Sequence, residues 1–214
     1  MAGRGPETDP SRRTARGAAT RERIVATTAD LMHRQGVAAT TLDQVVDTCG
    51  VSKSQLYHYF PNKDALVAEV IAAQADRVLF HQRQLLGRLR SMRELEQWRD
   101  TLVAGLGRSG YRCPLGSLAN ELAGRSDSAR RKLSDAFGTW TGDLANAFAR
   151  MRESGELDSE SAPDDLALEV VAALQGGYLL AETMQDEQPF VLALDMALGW
   201  VKAHNSDRRC AARR

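Results

Sequence analysis

Thr40 to Leu66 reads TTLDQVVDTCGVSKSQLYHYFPNKDAL and contains two helix starts in quick succession. Thr41 followed by Gln44 is a capping box, which satisfies two backbone amides at a helix N-terminus that would otherwise lack partners. The helix it opens is short, because Gly50 stops it. Ser52 with Gln55 is a second capping box. Val51 before it and Leu56 at the fourth helical position have the spacing of a hydrophobic staple. The second short helix runs from about Lys53 to Phe60, and Pro61 ends it, because the residue before a proline avoids the helical region. Asn62 caps the helix that follows.

Two short helices joined by a tight glycine turn, after a longer helix, make a helix-turn-helix, whose second helix can enter the major groove of DNA. Leu56 and Phe60 are four apart and share the face to be buried. Lys53, Ser54, Gln55, Tyr57 and His58 fall on or near the other, and each can meet a base edge or a phosphate. Lys53 supplies charge, and Gln55 suits adenine. The Tyr57 ring can touch a thymine methyl while its hydroxyl bonds a phosphate. Lys63 lies just past the helix, placed for a phosphate, and the amides near Thr41 and Ser52 offer anion-binding helix ends. Spacing alone also admits a structural helical hairpin with an ordinary polar surface.

The same residues resemble the DNA-binding domain of the tetracycline-repressor (TetR) family. The pattern is a T-T cap followed by G-V-S-x-x-x-L-Y-x-Y/H-F-x-x-K-x-x-L. The chain matches at Gly50, Val51, Ser52, Leu56, Tyr57, Tyr59, Phe60, Lys63 and Leu66. The resemblance covers about 45 residues from Ile24 onward. It implies a homodimeric transcription factor, in most members a repressor, with two recognition helices on a pseudo-palindromic operator in double-stranded DNA. It implies that the last two helices of each subunit form a four-helix interface. It further implies that a small molecule binding among the middle helices moves the fourth helix, which carries the reading head, and so releases the operator. By position, Lys53, Ser54, Gln55, Tyr57, Tyr59 and Lys63 match the family's DNA contacts, and Thr41 matches a phosphate-contacting cap. Asp43 departs from members with a basic residue there.

Outward from this segment, everything periodic is helical. Ile24, Thr28, Leu31 and Gln35, with Val25 and Met32 beside them, mark a first helix ending at Gly36. Leu66, Val67, Val70, Ile71, Val78, Leu85 and Leu89 mark a long fourth. Leu95, Trp98, Leu102 and Leu106 form another stripe, as do Leu133, Phe137, Trp140, Leu144, Phe148 and Met151. Pro163 starts a helix to about Gln185, and Pro189 opens the last, to about His204. The expected class is all-α with about nine helices. A basic arm without order spans 1–17 and a helix-turn-helix domain 18–63. A helical bundle for ligand binding and dimerisation spans 64–204, and a basic tail without order 205–214.

Composition agrees. The 214 residues are 43% hydrophobic and carry 28 basic and 28 acidic side chains, which excludes global disorder. Met1 to Lys63 holds 9 basic and 6 acidic residues (+3), Asp64 to Val201 14 and 21 (−7), and the tail is +4. A basic N-terminal segment on an acidic body suits an anionic partner at one end. No stretch approaches the roughly 20 apolar residues of a membrane span, and the N-terminus lacks a secretory signal's apolar run. Three scattered cysteines make no disulfide framework, so a cytoplasmic location is expected.

Between Phe190 and Val201 only Asp195 is charged. A helix apolar all round must be covered on more than one side, either within one subunit or by a second copy of the chain. The residues expected in such a dimer interface are Val171, Leu174, Tyr178, Val191, Leu194, Leu198 and Val201. Gly176-Gly177 allows close backbone approach. A cavity in a helical bundle is lined by aromatics with a few polar groups. Its candidates are His81, Trp98, Leu102, Tyr111 and Cys113, and further along Phe137, Trp140, Phe148, Gln175 and Tyr178. The same aromatics are compatible with a filled core.

Cys113 stands before a proline that can open a helix and beside Arg112, features that lower a thiol pKa. It is either a thiol sensor of oxidants or electrophiles, or an inert packing residue. Cys49 reads as packing and Cys210 as incidental. The histidines show no metal spacing, and the chain has no phosphate loop, nucleophile elbow or dinucleotide fingerprint. No cofactor, metal or catalytic residue is therefore expected. The rival readings are a ligand-binding helical dimer without DNA binding and an enzyme working through Cys113.

Overall fold

The computed structural model of the chain describes residues 10–205 and, among these, nine α-helices and one short 3-10 turn. They fall into two compact units that divide between Gln74 and Ala75.

The first unit contains α1 (Pro10–Ala39), α2 (Leu42–Cys49), α3 (Lys53–Tyr59) and the first half of α4 (Lys63–Leu86). The helix expected from about Thr20 starts earlier, and the part of the expected arm from Pro10 to Gly17 is helical. Proline suits a first helical position, and the alanines and arginines behind it favour helix even without an apolar stripe. Residues 1–9 of that arm lie outside the described residues. The helical path of α1 breaks at Gly36 (φ 84°, ψ 164°), where the sequence places its end. Ile24, Val45, Leu56, Phe60 and Leu66 are fully or almost fully buried and form the unit's centre. Around it, Gln35 donates to Gln44 Oε1 at 3.0 Å, and Thr40 donates to the Gly36 carbonyl at 2.8 Å, so the α1–α2 corner has its polar groups paired. Arg21 pairs with Glu69 at 2.6 Å and lies over the Phe60 ring, which brings α1 and α4 together.

The second unit holds the rest of α4, α5 (Met92–Leu106), the 3-10 turn Gly107–Ser109, α6 (Pro114–Leu122), α7 (Asp127–Glu153), α8 (Pro163–Met184) and α9 (Gln188–Ala203). Of the two stripes, Leu95, Trp98, Leu102 and Leu106 are buried, and so are Leu133, Trp140, Leu144, Phe148 and Met151, while Phe137 is half-buried. Arg150 donates to the Leu86 carbonyl at 2.7 Å, which satisfies an end group of α4. Arg99 grips Asp195 with two hydrogen bonds, at 2.8 and 3.0 Å, linking α5 to α9. The α8–α9 pair is closely packed. A Cβ at Gly177 would lie 3.0 Å from the Phe190 Cα, whereas one at Gly176 would meet nothing. Only Gly177 therefore serves the close approach expected of the pair. Tyr178 and Phe190 rings lie 4.5 Å apart beside it. The expected tail beyond Asn205 lies outside the described residues, as does Cys210. The chain before it is tied back, with Asp158 N–H donating to the His204 carbonyl at 2.8 Å.

The residues expected in a dimer interface differ in how much surface they expose. Val171, Leu174, Leu194, Leu198 and Val201 are buried within their own subunit. Tyr178 and Val191 are half-buried. On these two helices the large apolar side chains left exposed are Leu168, Leu179, Leu180 and Met184 of α8, with Leu192, Met196 and Trp200 of α9. A helix apolar on both sides presents two stripes of equal spacing, and the inner one is consumed by the subunit's own core.

Candidate functional site

Both capping boxes form. Thr41 Oγ1 accepts from Gln44 N–H at 3.2 Å and Gln44 Oε1 from Thr41 N–H at 2.9 Å. Ser52 Oγ accepts from Gln55 N–H at 3.1 Å and Gln55 Oε1 from Ser52 N–H at 3.0 Å. Between them Gly50 adopts the left-handed conformation (φ 67°, ψ 35°), and its N–H closes α2 onto the Val46 carbonyl at 3.0 Å. That conformation is open to glycine at no steric cost and lets the chain turn within three residues. Val51 and Leu56, the staple pair, are both buried.

This turn sets which side chains of α3 face outward. Leu56 and Phe60 lie in the core, so Lys53, Tyr57, Ser54 and His58, spaced as two i,i+4 pairs, share the opposite, exposed face. Tyr57 is 53% exposed, high for a large aromatic ring. Lys53 lies 2.8 Å from Asp43 of α2, and this hydrogen bond raises its pKa further. The acid that departs from the family pattern thus already engages the lysine of the reading face.

Besides the caps Thr41 and Ser52, three further candidate DNA contacts make contacts within the fold. Gln55 spends its carbonyl oxygen on the Ser52 cap. Tyr59 is half-buried, with its hydroxyl 3.4 Å from the Cβ position of Gly17 on α1. Lys63 is half-buried and donates to the Val37 carbonyl at 2.7 Å, closing the end of α1. The helix ends are also less available to anions than expected, because the amides of Thr41, Gln44, Ser52 and Gln55 are already bonded within the boxes.

The second unit holds two neighbouring cavities. The larger, about 480 Å³, lies among α4, α5, α6, α7 and α8, and His81, Leu102, Cys113, Trp140 and Tyr178 line it. The smaller, about 270 Å³, is lined by Phe137 and Gln175 and again by Cys113 and Tyr178. Phe137 and Trp140 are stacked, 6.4 Å apart and 10° from parallel. Three expected lining residues belong elsewhere. Trp98 is core and donates to Gln82 Oε1 at 3.0 Å, and Phe148 is fully buried. Tyr111 follows the 3-10 turn, binds the Leu106 carbonyl through its N–H and lines neither cavity. Sequence reasoning missed Arg77, Gln82 and Arg108 of the larger cavity. The one available signal was Gln82, a polar residue four positions beyond Val78 on the apolar stripe of α4.

Cys113 differs from the activated thiol its neighbours suggest. Its sulfur caps α6, accepting from Gly116 N–H at 3.4 Å, but the side chain is 4% exposed. Burial outweighs the pull of the helix amides and of Gln175, and pushes the thiol pKa up. Arg112 pairs with Glu182 at 2.9 Å. Burial also raises the Tyr178 hydroxyl.

Two family models meet this geometry. One, described as bacterial regulatory proteins, tetR family, matches residues 24–70, the segment that builds the reading head. The chain belongs to the tetR family. The second, described as transcriptional regulator LmrA/YxaF-like, C-terminal domain, matches residues 91–196. The HTH-type transcriptional regulator YxaF of Bacillus subtilis (strain 168) is 28% identical over 189 residues, covering 84% of this chain and 93% of YxaF. The transcriptional regulator AcuR of Cereibacter sphaeroides is 28% identical over 152 residues, 69% of each chain. The solved structure of the regulatory protein TetR from Rhodobacter sphaeroides has the same fold, with a TM-score of 0.75 at 23% identity over 84% of this chain and 97% of that one. The helix-turn-helix of this tetR-family member is accordingly that of a DNA-binding transcriptional regulator. Among the described residues no helix is long and apolar enough to cross a membrane.

Proposed function

We propose that the protein is a homodimeric regulator that holds a pseudo-palindromic operator through α3 and lets go when a small molecule fills the larger cavity. The observation that carries this reading is the exposed α3 face of Lys53, Ser54, Tyr57 and His58, mounted on a capped turn. Two such heads must lie roughly 34–36 Å apart, or a multiple of it, to meet successive turns of DNA. The exposed apolar row of α8 and α9 supplies the surface for the second subunit. The cavity includes Val78, His81 and Gln82 of α4, the helix whose first turn follows the reading head, so an occupant bears directly on that helix. A ligand that favours a dimer with the wrong head spacing lowers operator affinity by its differential affinity for that state.

The test is a gel shift on the intergenic DNA beside the gene. With about 6–10 phosphate contacts, affinity falls by roughly 10³–10⁵ between 50 and 200 mM salt. Lys53→Ala with Tyr57→Ala abolishes the shift and leaves the dimer intact, whereas Lys63→Ala would confound the result by removing a hydrogen bond to the Val37 carbonyl. An unaffected shift would refute the placement of the reading head. The burial of Cys113, which pushes its thiol pKa up, weighs against thiol sensing as the release signal.

A further inference from the structure

The two cavities differ in charge. Three arginines and one histidine line the larger, Arg77, Arg108, Arg112 and His81, and no aspartate or glutamate does. The smaller is lined by Glu182 and by no basic residue. Arg112 is neutralised by that same Glu182 at 2.9 Å. Arg108 donates to the Ala104 carbonyl at 2.8 Å, and no carboxylate of the described residues pairs with it or with Arg77. Both side chains are exposed, so they stand at the rim. The rest of the lining is mainly apolar and aromatic, with Leu102, Pro114, Trp140 and Tyr178, and includes the buried amide of Gln82. Trp140 is 2% exposed, and its indole N–H is buried with no hydrogen-bond partner. A donor left so in an apolar site costs free energy until an acceptor arrives. The volume, about 480 Å³, falls within the roughly 300–1,000 Å³ of small-molecule sites.

Building on the reading of this cavity as the effector site, we propose that it takes an amphipathic organic anion. A carboxylate meets Arg108 and Arg77 at the rim, a flat apolar body lies against Leu102 and Tyr178, and an acceptor on that body takes the Trp140 N–H. Guanidinium forks match a carboxylate in two parallel hydrogen bonds, which makes the rim selective for planar acids over neutral isosteres. A cation of the same shape is excluded by like charge.

Calorimetric titration of the full-length protein with 2-naphthoate, its primary amide and 2-naphthylmethylamine tests the charge. The acid is expected to bind at least about tenfold tighter than the amide, and the amine not to bind. Arg77→Gln with Arg108→Gln, two surface changes that leave the core untouched, should erase the advantage of acid over amide. 6-Hydroxy-2-naphthoate tests the acceptor. It should bind about fivefold tighter than 2-naphthoate, and Trp140→Phe should remove that difference while both still bind. Equal affinity for acid and amide, preference for the amine, an unchanged acid preference in the double variant, or no saturable binding of the acid at millimolar concentration each overturns the proposal. A gel shift with the same probes separates the two ideas. Acid binding without operator release sinks the release mechanism alone. Release by the amine, with no acid binding, sinks the anion alone.

Discussion

Asp43 acts on the reading head through one contact, the 2.8 Å pair with Lys53. Both side chains are largely exposed, so the pair contributes little to stability, but it places a negative charge where phosphates are expected. Asp43→Asn should tighten operator binding several-fold and steepen the dependence of log K on log salt by about one unit, as a released Lys53 neutralises one more phosphate. Weaker binding in filter titrations would show that Asp43 orients Lys53 instead of restraining it. Cys113 gives a second prediction. Its folded-state pKa lies above that of the unfolded chain, so the fold favours the protonated thiol. Its contribution to stability is full below the unfolded value of about 8.5 and is lost as pH rises through the higher folded value. At pH 7 iodoacetamide should label the half-buried Cys49 well before Cys113, read by mass spectrometry of native protein; Cys113 reacting first would restore the sensor reading. The caps were legible at this scale because Ser52 and Gln55 are three residues apart and complete their bonds locally. The bond of Lys63 to the Val37 carbonyl was not legible, because the two lie 26 positions apart.

At the scale of elements, the α2–α3 turn depends on a backbone conformation that a side chain resists. Nothing lies within 4 Å of a Cβ at Gly50, so Gly50→Ala is resisted by backbone strain alone, about 1–2 kcal/mol. Ser52→Ala should cost about 1 kcal/mol through the lost cap. Urea unfolding followed by circular dichroism measures both, and a neutral Gly50→Ala would mean that the turn relaxes to another geometry. Helix ends were legible wherever a proline, a cap or a glycine marks them, as at Pro114, Ser52 and Gly36. The start of α1 was not, because its first turns carry helix-favouring residues without an apolar period. The inner stripe of α9, Phe190, Leu194, Leu198 and Val201, and its outer stripe, Leu192, Met196 and Trp200, have nearly the same spacing. Periodicity therefore detects a helix covered on two sides and leaves open which side meets the subunit's own core.

At the scale of the whole molecule, the exposed apolar row makes dimerisation a testable property. Met196 and Trp200 are 70% and 52% exposed, one turn apart on α9. Met196→Glu with Trp200→Glu should give a monomer by analytical ultracentrifugation at micromolar concentration. Its α3 is unaltered, but operator affinity collapses with the loss of the second head; a dimer that survives both charges would move the interface elsewhere. The position of the unit boundary within α4, at Gln74, was not legible, since the apolar stripe of that helix runs on without interruption. Cys113 and Tyr178 border both cavities of the second unit. Guests in the two chambers would share these two side chains as a party wall, and neither could shift them without altering the room left to the other. Whatever factor one compound imposes on the affinity of a second is then returned in equal measure, so a mixture cannot be forecast from its components titrated singly.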